Sequence, residues 1–523
     1  MLLLALVSSG ITAADYHLSM SGDDAASGSE EQPWRTLARL RTCPVAPGDR
    51  IRLRGGETFA GSILLERGGS EQLPLIIESY GQGRARIVAA DDADGILIRN
   101  VGGVRIRELV VTGSGNTTHH GIAFSITTPD TVRVGIAVDA VEVSGFGGNG
   151  VHLGADQAGS GFRRVRFTRV IAHDCGEAGI ASHGVVRGTE YAHGEVYVGG
   201  CLAYDNHGLP HKTENHSGNG IVMGHVNGLT IERCVAYGNG DLCNFTGGGP
   251  VGIWAWESRY VLIQYNEAHH NRTGAKSVDG GGFDLDGGVV DAVVQYNYAH
   301  DNDGSGILIC QYSGARPLRR AVVRYNLCED DGRTHEHGGI HFWSQKADEL
   351  SDVLVHNNTV RVGPGDGRLS SAVRIAAAVT NVRICNNHLI TLGKVPAVRC
   401  DVAEPGVLFA GNAYSDPDGL IIAWKGRSFE DLDAWRTASG QERWLDQPVG
   451  LVTAGFPAAR GQHAPMLLGT VPFADAYRIP AGSPLLTGGI VLPATQVFPA
   501  TVDFYARLVV NTRAIGHDAG PTP

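Results

Sequence analysis

Seven segments of this chain begin with a glycine followed by an apolar residue, and they recur at intervals of tens of residues. The shortest interval is 24 residues, from Gly282 to Gly306, and the longest is 41 residues, from Gly179 to Gly220. A repeat of this size and variable spacing predicts a solenoid in which each repeat forms one supersecondary unit. The segments read NGVHLG (149–154), AGIASHG (178–184), NGIVMGH (219–225), VGIWAWES (251–258), GFDLDGG (282–288), SGILICQ (305–311) and GGIHFWS (338–344).

Two further strand patterns alternate with these segments in a fixed order. One ends in asparagine, and the next places a small residue where a side chain would point inward. Such short strands are unstable alone, but coils stacked about 4.8 Å apart hydrogen-bond along the axis and bury a continuous apolar column. An antiparallel sandwich would not keep this order, so the pattern predicts a parallel β-helix with an asparagine ladder. The ladder positions are Asn266, Asn297, Asn326, Asn358 and Asn387, and the small residues are Ala203, Ala236, Ala268, Ala299 and Cys328.

The order of strand, short turn, strand, asparagine turn, strand and long loop resembles the pectate lyase-like enzymes. These are secreted carbohydrate-active proteins with a right-handed parallel β-helix. The segments 16–40 and 48–87 at the start, and 477–489 and 503–520 at the end, fit such proteins as well. The resemblance therefore implies an all-β, right-handed parallel β-helix solenoid with an N-terminal capping helix and irregular C-terminal coils. It does not choose a reaction, because one fold hosts many.

The chain divides into four predicted regions. Residues 1–14 have the apolar core and small residues of a signal peptide, which favours a secreted or periplasmic protein; a buried first strand is the alternative. Residues 15–50 form an N-terminal cap that includes an amphipathic helix, Trp34–Arg41. Residues 51–415 form the β-helix, with the catalytic-face coils at 149–345. Residues 416–523 form irregular C-terminal coils and a short helix with Ser428 as its N-cap.

Composition limits the partners. The net charge of −11 argues against nucleic acid, which requires basic patches, and it disfavours a strongly anionic polysaccharide. No stretch after the N-terminus is apolar for long enough to insert into a membrane. Cys201 and Cys234 lie one coil apart, where stacked thiols are favoured over a disulfide. We expect a monomer.

The alternation of side chains along a strand predicts the outward face of each coil. In GFDLDGG, Phe283 and Leu285 point inward, so Asp284 and Asp286 point outward. Neighbouring coils extend this face into two columns of outward residues. The first is His152, Ala181, Val222, Trp254, Asp284, Leu308 and His341, and the second is Gly154, His183, Gly224, Trp256, Asp286, Cys310 and Trp343.

This face has the chemistry of a glycan site. Indole faces suit the C–H faces of sugar rings, so Trp254, Trp256 and Trp343 are predicted to bind substrate. The long loops 206–218, 238–250, 270–281 and 330–339 are predicted to wall a cleft above them. Further predicted substrate contacts are Glu257, His183 and Lys276.

Asp284 and Asp286 are the predicted catalytic pair, with Glu257 and His341 as reserve acids or bases. Carboxylates at i and i+2 have Cα atoms about 6.5–7 Å apart, which lets one act as acid and the other as base or nucleophile. Repulsion and burial would raise one pKa. A calcium site is the alternative use of these acids, and a solvated polar rung is a third. The calcium site would comprise Asp279, Asp284, Asp286 and Asp303.

Enzymes that resemble this chain catalyse three classes of reaction. Pectate lyases use calcium and an outward Lys or Arg, but the coil after GFDLDGG has neither at its outward positions. Mannuronan epimerases carry a GFDPH-like strand, and here Leu285 and Asp286 replace its last two residues. Glycosidases similar to polygalacturonases use outward Asp residues, although their NTD, DD and GHG motifs are absent. The sequence therefore predicts a glycoside hydrolase acting on a polysaccharide or oligosaccharide without a required cofactor. A calcium-dependent lyase or epimerase and a non-catalytic glycan-binding protein are the alternatives.

Overall fold

The computed structural model describes residues 13–114, 118–365, 370–453, 477–492, 504 and 513–516. The chain winds into a solenoid in which each regular coil adds one strand to each of three sheets, called here A, B and C in chain order. Within the described residues each sheet contains 14 strands, and nearly all neighbours pair in parallel. The predicted all-β right-handed parallel β-helix is confirmed.

The strands of sheet A are Asp15–Leu18, Arg50–Arg54, Leu75–Tyr80, Val104–Arg107, Val132–Asp139, Gly161–Thr168, His193–Gly199, Val226–Glu232, Arg259–Gln264, Val290–Gln295, Leu318–Arg324, Leu350–His356, Thr380–Cys385 and Val407–Ala410. The strands of sheet B are Thr58–Ala60, Ala85–Val88, Leu109–Thr112, Glu142–Ser144, Ile171–His173, Leu202–Tyr204, Val235–Tyr237, Glu267–His269, Tyr298–His300, Leu327–Glu329, Thr359–Val362, His388–Thr391, Ala413–Ser415 and Leu451–Val452. The strands of sheet C are Ile63–Leu65, Ile96–Arg99, Ile122–Ile126, Asn149–Ala155, Ala178–Gly184, Asn219–Gly224, Val251–Trp256, Gly281–Leu285, Ile307–Gln311, Gly338–Ser344, Ser371–Ile375, Val398–Cys400, Ile422–Trp424 and Arg427–Phe429. A small separate hairpin joins Arg443–Trp444 to Gln447–Pro448.

The core runs along the axis as stacked columns of inward side chains. Phe283 pairs in register with Ile253 on one side and Ile307 on the other, and all three are buried. The predicted small-residue column also stacks in register on sheet B, from Ala203 to Cys328. Small side chains there leave room for the larger residues of sheets A and C, which keeps the interior closely packed.

The predicted asparagine ladder occupies the turn between sheets A and B. Each side-chain amide donates to the Oδ1 of the asparagine in the next coil, as Asn297 does to Asn326 at 3.0 Å and Asn326 to Asn358 at 2.9 Å. The left-handed conformation belongs to the preceding residue, such as Tyr296 with φ 56°. Buried Glu442 ends the ladder by accepting from Asn412 at 2.8 Å.

A second ladder, which sequence reasoning missed, occupies the turn between sheets B and C. It runs through Asn206, Asn239, Asn271 and Asn302 with 2.9 Å or shorter bonds between side chains, and it ends at Asp331. The signal in the sequence was an asparagine that follows the small-residue strand by a fixed number of positions. Two ladders satisfy buried backbone and side-chain groups at two corners of each coil.

The predicted N-terminal capping helix is wrong as an α-helix. Only Leu37–Arg41 forms a helix, of the 3₁₀ type, while Trp34 makes a parallel bridge with Leu18. Leu37 and Leu40 are buried and the turn packs on Ile63–Leu65, the edge strand of sheet C. The amphipathic pattern was real, but Trp34 is held by strand pairing, which leaves too few residues for an α-helix.

The predicted C-terminal helix is present but begins later than expected. It is α1, Leu432–Ser439, and its N-cap is Asp431, whose carboxylate accepts from the Ala434 amide at 2.7 Å. Ser428 instead lies in a strand that pairs antiparallel with Ile422–Trp424. Trp435 is buried against Phe409, so the helix closes this end of the core.

Two further expectations concern the chain ends and the cysteines. Residues 1–12 of the expected signal peptide lie outside the described residues. Within the described part of the chain, no helix has the length and apolarity that crossing a membrane requires. All nine cysteines are free thiols, and the Cys201 amide donates to the Cys234 sulfur at 3.4 Å in the ladder column.

Replacing Asn326 with alanine should destabilise the solenoid, because both neighbours in the ladder lose a buried hydrogen-bond partner. We expect a loss of about 3 kcal/mol or more in the free energy of unfolding, since each buried unsatisfied group costs about 1–3 kcal/mol. Denaturant unfolding measures the change. The exposed Asn227 on sheet A provides the matched control, and Asn227→Ala should change stability by less than about 0.5 kcal/mol. Equal losses in the two variants would contradict the ladder's role.

Asp331→Asn should stabilise the protein more as pH rises. Burial raises the pKa of Asp331 to about 8, although Asn302 donates to it. The pKa of Asp331 is higher in the folded protein than in the unfolded chain. The wild type therefore keeps its full stability below about pH 4 and loses stability as pH rises toward 8. Asparagine stays neutral and continues the ladder. We expect the gain in unfolding free energy to be on the order of 2–4 kcal/mol larger at pH 8 than at pH 4, and a gain independent of pH would contradict the prediction.

Candidate functional site

The outward face of sheet C forms the floor of the site. Trp254 pairs in register with Asp284, Asp284 with Leu308, and Leu308 with His341. The neighbouring inward residues Phe283 and Leu285 are fully buried. The alternation read from the sequence therefore places the first outward column as expected, and stacked coils hold its side chains at a fixed spacing.

A cavity of about 780 Å³ lies above this floor. Its lining includes residues from all four long loops predicted to form walls. They are Asn215 and His216 from loop 206–218, Phe245 and Gly247–Gly249 from loop 238–250, Val278 and Asp279 from loop 270–281, and His337 from loop 330–339. A cavity of this size fits a small glycan segment.

The three tryptophans line the cavity but differ in exposure. Trp254 is only 5% exposed, because it packs on Ala181 and Val222 and its Nε1 donates to Asn219 at 3.1 Å. Trp256 and Trp343 are half-buried. Trp254 therefore offers little indole surface to a ligand. Trp256 and Trp343 keep indole surface that can contact a ligand.

Asp284 is the most enclosed carboxyl in the cavity. It is 4% exposed, and within the described residues its Oδ1 has no hydrogen-bond partner. Burial, followed by the charges of Asp286 and Asp279, raises its pKa well above the usual value. A buried carboxylate without a partner is costly, so Asp284 is a neutral carboxylic acid near neutral pH.

Asp286 and Asp279 are half-buried and also line the cavity. Burial raises the pKa of Asp286 to about 7, against the opposing effect of hydrogen bonds from the Gly287 amide and the Cys310 thiol. Burial raises the pKa of Asp279 to about 6, and its Oδ2 accepts a hydrogen bond from the Gly249 amide. Three carboxyls with raised pKa values therefore share one cavity, where strongly shifted groups often mark catalysis.

His341 lies one rung beyond Leu308 and is 4% exposed. Neither ring nitrogen has a hydrogen-bond partner among the described residues, and the ring meets His337 edge to face at 4.4 Å. Burial, together with the neighbouring His337, Arg374 and Arg399, lowers its pKa well below the usual value. The imidazole is therefore neutral and a weak base, which suits a hydrogen bond to a ligand better than proton abstraction.

Four residues predicted for the site lie outside this cavity. Glu257 is engaged by Arg316, which donates its backbone amide at 2.8 Å and its guanidinium. Lys276 is exposed on its loop and is not among the lining residues. His183 bonds to Asp156 at 2.8 Å in a second cavity. Asp303 accepts from Arg272 at 2.9 Å.

The predicted calcium set is not assembled. Asp279, Asp284 and Asp286 share the cavity, but Asp303 is committed to Arg272 and to Thr334. Calcium takes six to eight oxygen ligands, and with Asp303 engaged elsewhere the predicted set of four carboxylates is reduced to three. The predicted calcium set is therefore incomplete.

A group of three histidines on sheet B also fails as a metal site. The donor atoms of His269, His270 and His300 lie within 4.8 Å of one another. Burial alone would lower the pKa of His300, but hydrogen bonds with Asp301 and Glu267 raise it to about 9. Carboxylates therefore engage both ring nitrogens of His300, which leaves neither of them free to bind a metal.

Sequence reasoning missed several lining residues. One is Lys212, which donates to both carboxylate oxygens of Glu177 at 2.8 and 2.7 Å. Tyr312 and Gln345 also line the cavity. Asp279 was considered only as a metal ligand. Its signal was its place beside GFDLDGG, but loop geometry had to bring it into the cavity.

Comparisons with known proteins agree with this architecture. A model of the family described as "Right handed beta helix region" matches residues 94–360, just over half of the chain. The chain belongs to the right-handed beta helix family. This member of the family is 27% identical over 117 residues to a lacto-N-biosidase of Bifidobacterium longum subsp. longum. That match covers 22% of this chain and only 6% of the relative, so the chain spans a small part of that protein.

A solved structure shares the fold. The GH136 lacto-N-biosidase from Eubacterium ramulus superposes with a TM-score of 0.54 at 17% identity, covering 71% of this right-handed beta helix chain and 68% of that one. Pectate lyase Pel9A gives a TM-score of 0.42 at 15% identity, over 97% of this chain and 98% of that one. The superposition on the lacto-N-biosidase supports the coil architecture.

Asp284→Asn should stabilise the protein at alkaline pH. Asp284 stays protonated in the folded protein, whereas the unfolded chain ionises it above about pH 4, so stability falls as pH rises. We expect the variant to gain at least about 1–3 kcal/mol more at pH 8 than at pH 4.5. Urea unfolding at both pH values measures this. Asp92→Asn, on an exposed turn, is the control and should show no such difference. A larger gain at pH 4.5 would contradict a protonated Asp284.

Proposed function

We propose that this protein is a carbohydrate-active enzyme, a glycoside hydrolase that cleaves a neutral glycan in the cavity on sheet C. The observation that carries the proposal is the presence of three carboxyls with raised pKa values beside half-buried tryptophans. Glycosidases require a protonated acid and a second carboxylate on either side of the scissile bond. Burial supplies that difference in protonation without a metal.

Asp286 and Asp279 are the favoured reacting pair. Both are half-buried and reach the cavity, whereas Asp284 is nearly closed off. Asp286 directly follows the floor strand Gly281–Leu285 and Asp279 lies in the loop before it, so the two enter the cavity from opposite ends of that strand. Asp284 instead lies within the strand. The pair expected from the sequence is thereby revised, with Asp286 retained.

In the proposed reaction one carboxylic acid donates its proton to the glycosidic oxygen as the bond to the anomeric carbon breaks. The other carboxylate either attacks that carbon or removes a proton from the attacking water. Asp284 remains neutral in the same cavity and limits the negative charge there. Trp256 and Trp343 hold the sugar rings, and His341 hydrogen-bonds a hydroxyl.

Charge favours a neutral glycan over a uronate. Among the described residues that line the cavity, Lys212 is the only one with a positively charged Lys or Arg side chain. Its charge is already neutralised by an ion pair with Glu177. A lyase needs a free base and cations around the uronate carboxylate, so the lyase and epimerase alternatives lack their groups here. The lacto-N-biosidase relatives favour hydrolysis of an oligosaccharide. We further propose that the protein acts as a secreted or periplasmic monomer.

The assay uses neutral oligosaccharides, a chromogenic lacto-N-bioside, and pectin and alginate, each with and without chelator. We expect new reducing ends from a neutral glycan, unaffected by chelator. Asp279→Asn and Asp286→Asn should each lower kcat at least about 1,000-fold, and Asp284→Asn about tenfold. Asp92→Asn is the matched control. Unsaturated products abolished by chelator would establish a lyase instead, and binding without any turnover would establish a glycan-binding protein.

The pH dependence gives an independent check. The pKa values of about 6 for Asp279 and about 7 for Asp286 predict a narrow bell for kcat/KM, falling below about pH 6 and above about pH 7. The acidic limb reports loss of the carboxylate, and the alkaline limb reports loss of the proton donor. A flat profile between pH 4 and 9 would contradict catalysis by this pair.

A further inference from the structure

A second cavity of about 690 Å³ lies on the same face, nearer the N-terminus. Asn149 and Glu177 line both this cavity and the first, so the two meet at these side chains. Its floor continues the first outward column through His152 and Ala123, which pair in register. One rigid surface thus underlies both cavities.

The register of the coils sets the length of this surface. His152 pairs with Ala181, Ala181 with Val222, Val222 with Trp254, and Trp254 with Asp284. Four coil steps of about 4.8 Å place His152 about 19 Å from Asp284. This distance exceeds a single pyranose ring, so a ligand that fills both cavities must be a chain of several sugars.

The second cavity presents neutral hydrogen-bond donors. The rings of His120 and His152 stack with centroids 4.1 Å apart. The Nδ1 of His120 accepts from the Asn149 amide, and the Nδ1 of His152 lies 2.9 Å from the Asn149 side chain. Burial lowers the pKa of both rings, and because Nδ1 of His120 accepts a hydrogen bond, the proton of that neutral ring lies on Nε2. A Cβ at Gly154 would lie 2.6 Å from the Nε2 of His152, so glycine there makes room for the ring.

The remaining polar groups are mainly acceptors. Asp94 and Asp156 contribute carboxyls, with Asp156 bonded to His183, whereas Glu177 is paired with Lys212 and Arg99 is shared with Glu66 at 3.2 Å. Sugar hydroxyls both donate and accept, so they match this mixture of imidazole N–H groups and carboxylates. An anionic sugar would meet no unshared Lys or Arg among the described residues that line this cavity.

We propose that the second cavity is a distal subsite for neutral sugar residues of the same glycan whose scissile bond lies between Asp279 and Asp286. This inference rests on the proposed function and deepens it. The substrate is a chain of several sugars that continues from the cleavage site toward the N-terminal coils. Binding energy gained far from the scissile bond then contributes to transition-state stabilisation.

The test measures kcat/KM against chain length for gluco-, xylo-, manno- and galacto-oligosaccharides of two to six residues and for lacto-N-tetraose. Ser125→Trp fills the cavity, because Ser125 lies on its floor between Arg99 and Gly154. Thr230→Trp adds the same side chain at a half-buried outward position on sheet A and is the matched control. Asp156→Ala, a milder change at an exposed residue, guards against misfolding of the first variant.

In the wild type we expect kcat/KM for the cleaved series to rise at least about tenfold from the shortest substrate to the hexasaccharide. Ser125→Trp should abolish this gain, Asp156→Ala should reduce it about threefold, and Thr230→Trp should retain it. Cleavage with no dependence on length in the wild type, or an unchanged gain in Ser125→Trp and Asp156→Ala, would overturn the distal subsite alone. Absence of cleavage of every glycan would overturn the proposed function and this inference with it.

Discussion

The structure depends on hydrogen bonding between successive coils. Strands of two to eight residues have no stability of their own, and each is held by neighbouring coils. Two side-chain ladders extend this pairing into the corners, where a bent backbone would otherwise leave buried groups unsatisfied. Glu442 and Asp331 mark where each ladder ends, and burial raises the pKa of both carboxyls.

The same stacking explains the chemistry of the candidate site. Because each coil advances by a fixed step, an outward residue in one coil lies directly beside its counterpart in the next. The result is a floor in which Trp254, Asp284 and His341 have constant spacing. Loops cover this floor and remove water from it, and desolvation is the first cause of the raised pKa of each carboxyl in the cavity. A rigid floor and a desolvating roof together raise the pKa values of these carboxyls toward neutral pH.

Prediction from the sequence succeeded where side-chain direction follows from periodicity. The inward positions Phe283 and Leu285 and the small-residue column behave as expected, since alternation in a buried strand leaves no other arrangement. Prediction failed where contacts between distant segments override the local sequence pattern. Trp34 was drawn into strand pairing and shortened the expected helix, and Arg316 engaged Glu257 from 59 positions away. The roles of Asp303 and Lys276 likewise depended on loop paths that no periodic pattern specifies.

The sequence by itself determined the solenoid, the order of its sheets, the first asparagine ladder and the face that carries Asp284 and Asp286. These follow from local repeats, because stacking identical coils lets one coil's pattern define its neighbours' contacts. Only the tertiary structure brought Asp279 into the cavity, buried Trp254 beneath the loops and joined a second cavity to the first. Those features arise from irregular loops that fold over the coils, so their positions depend on packing between segments far apart in the chain.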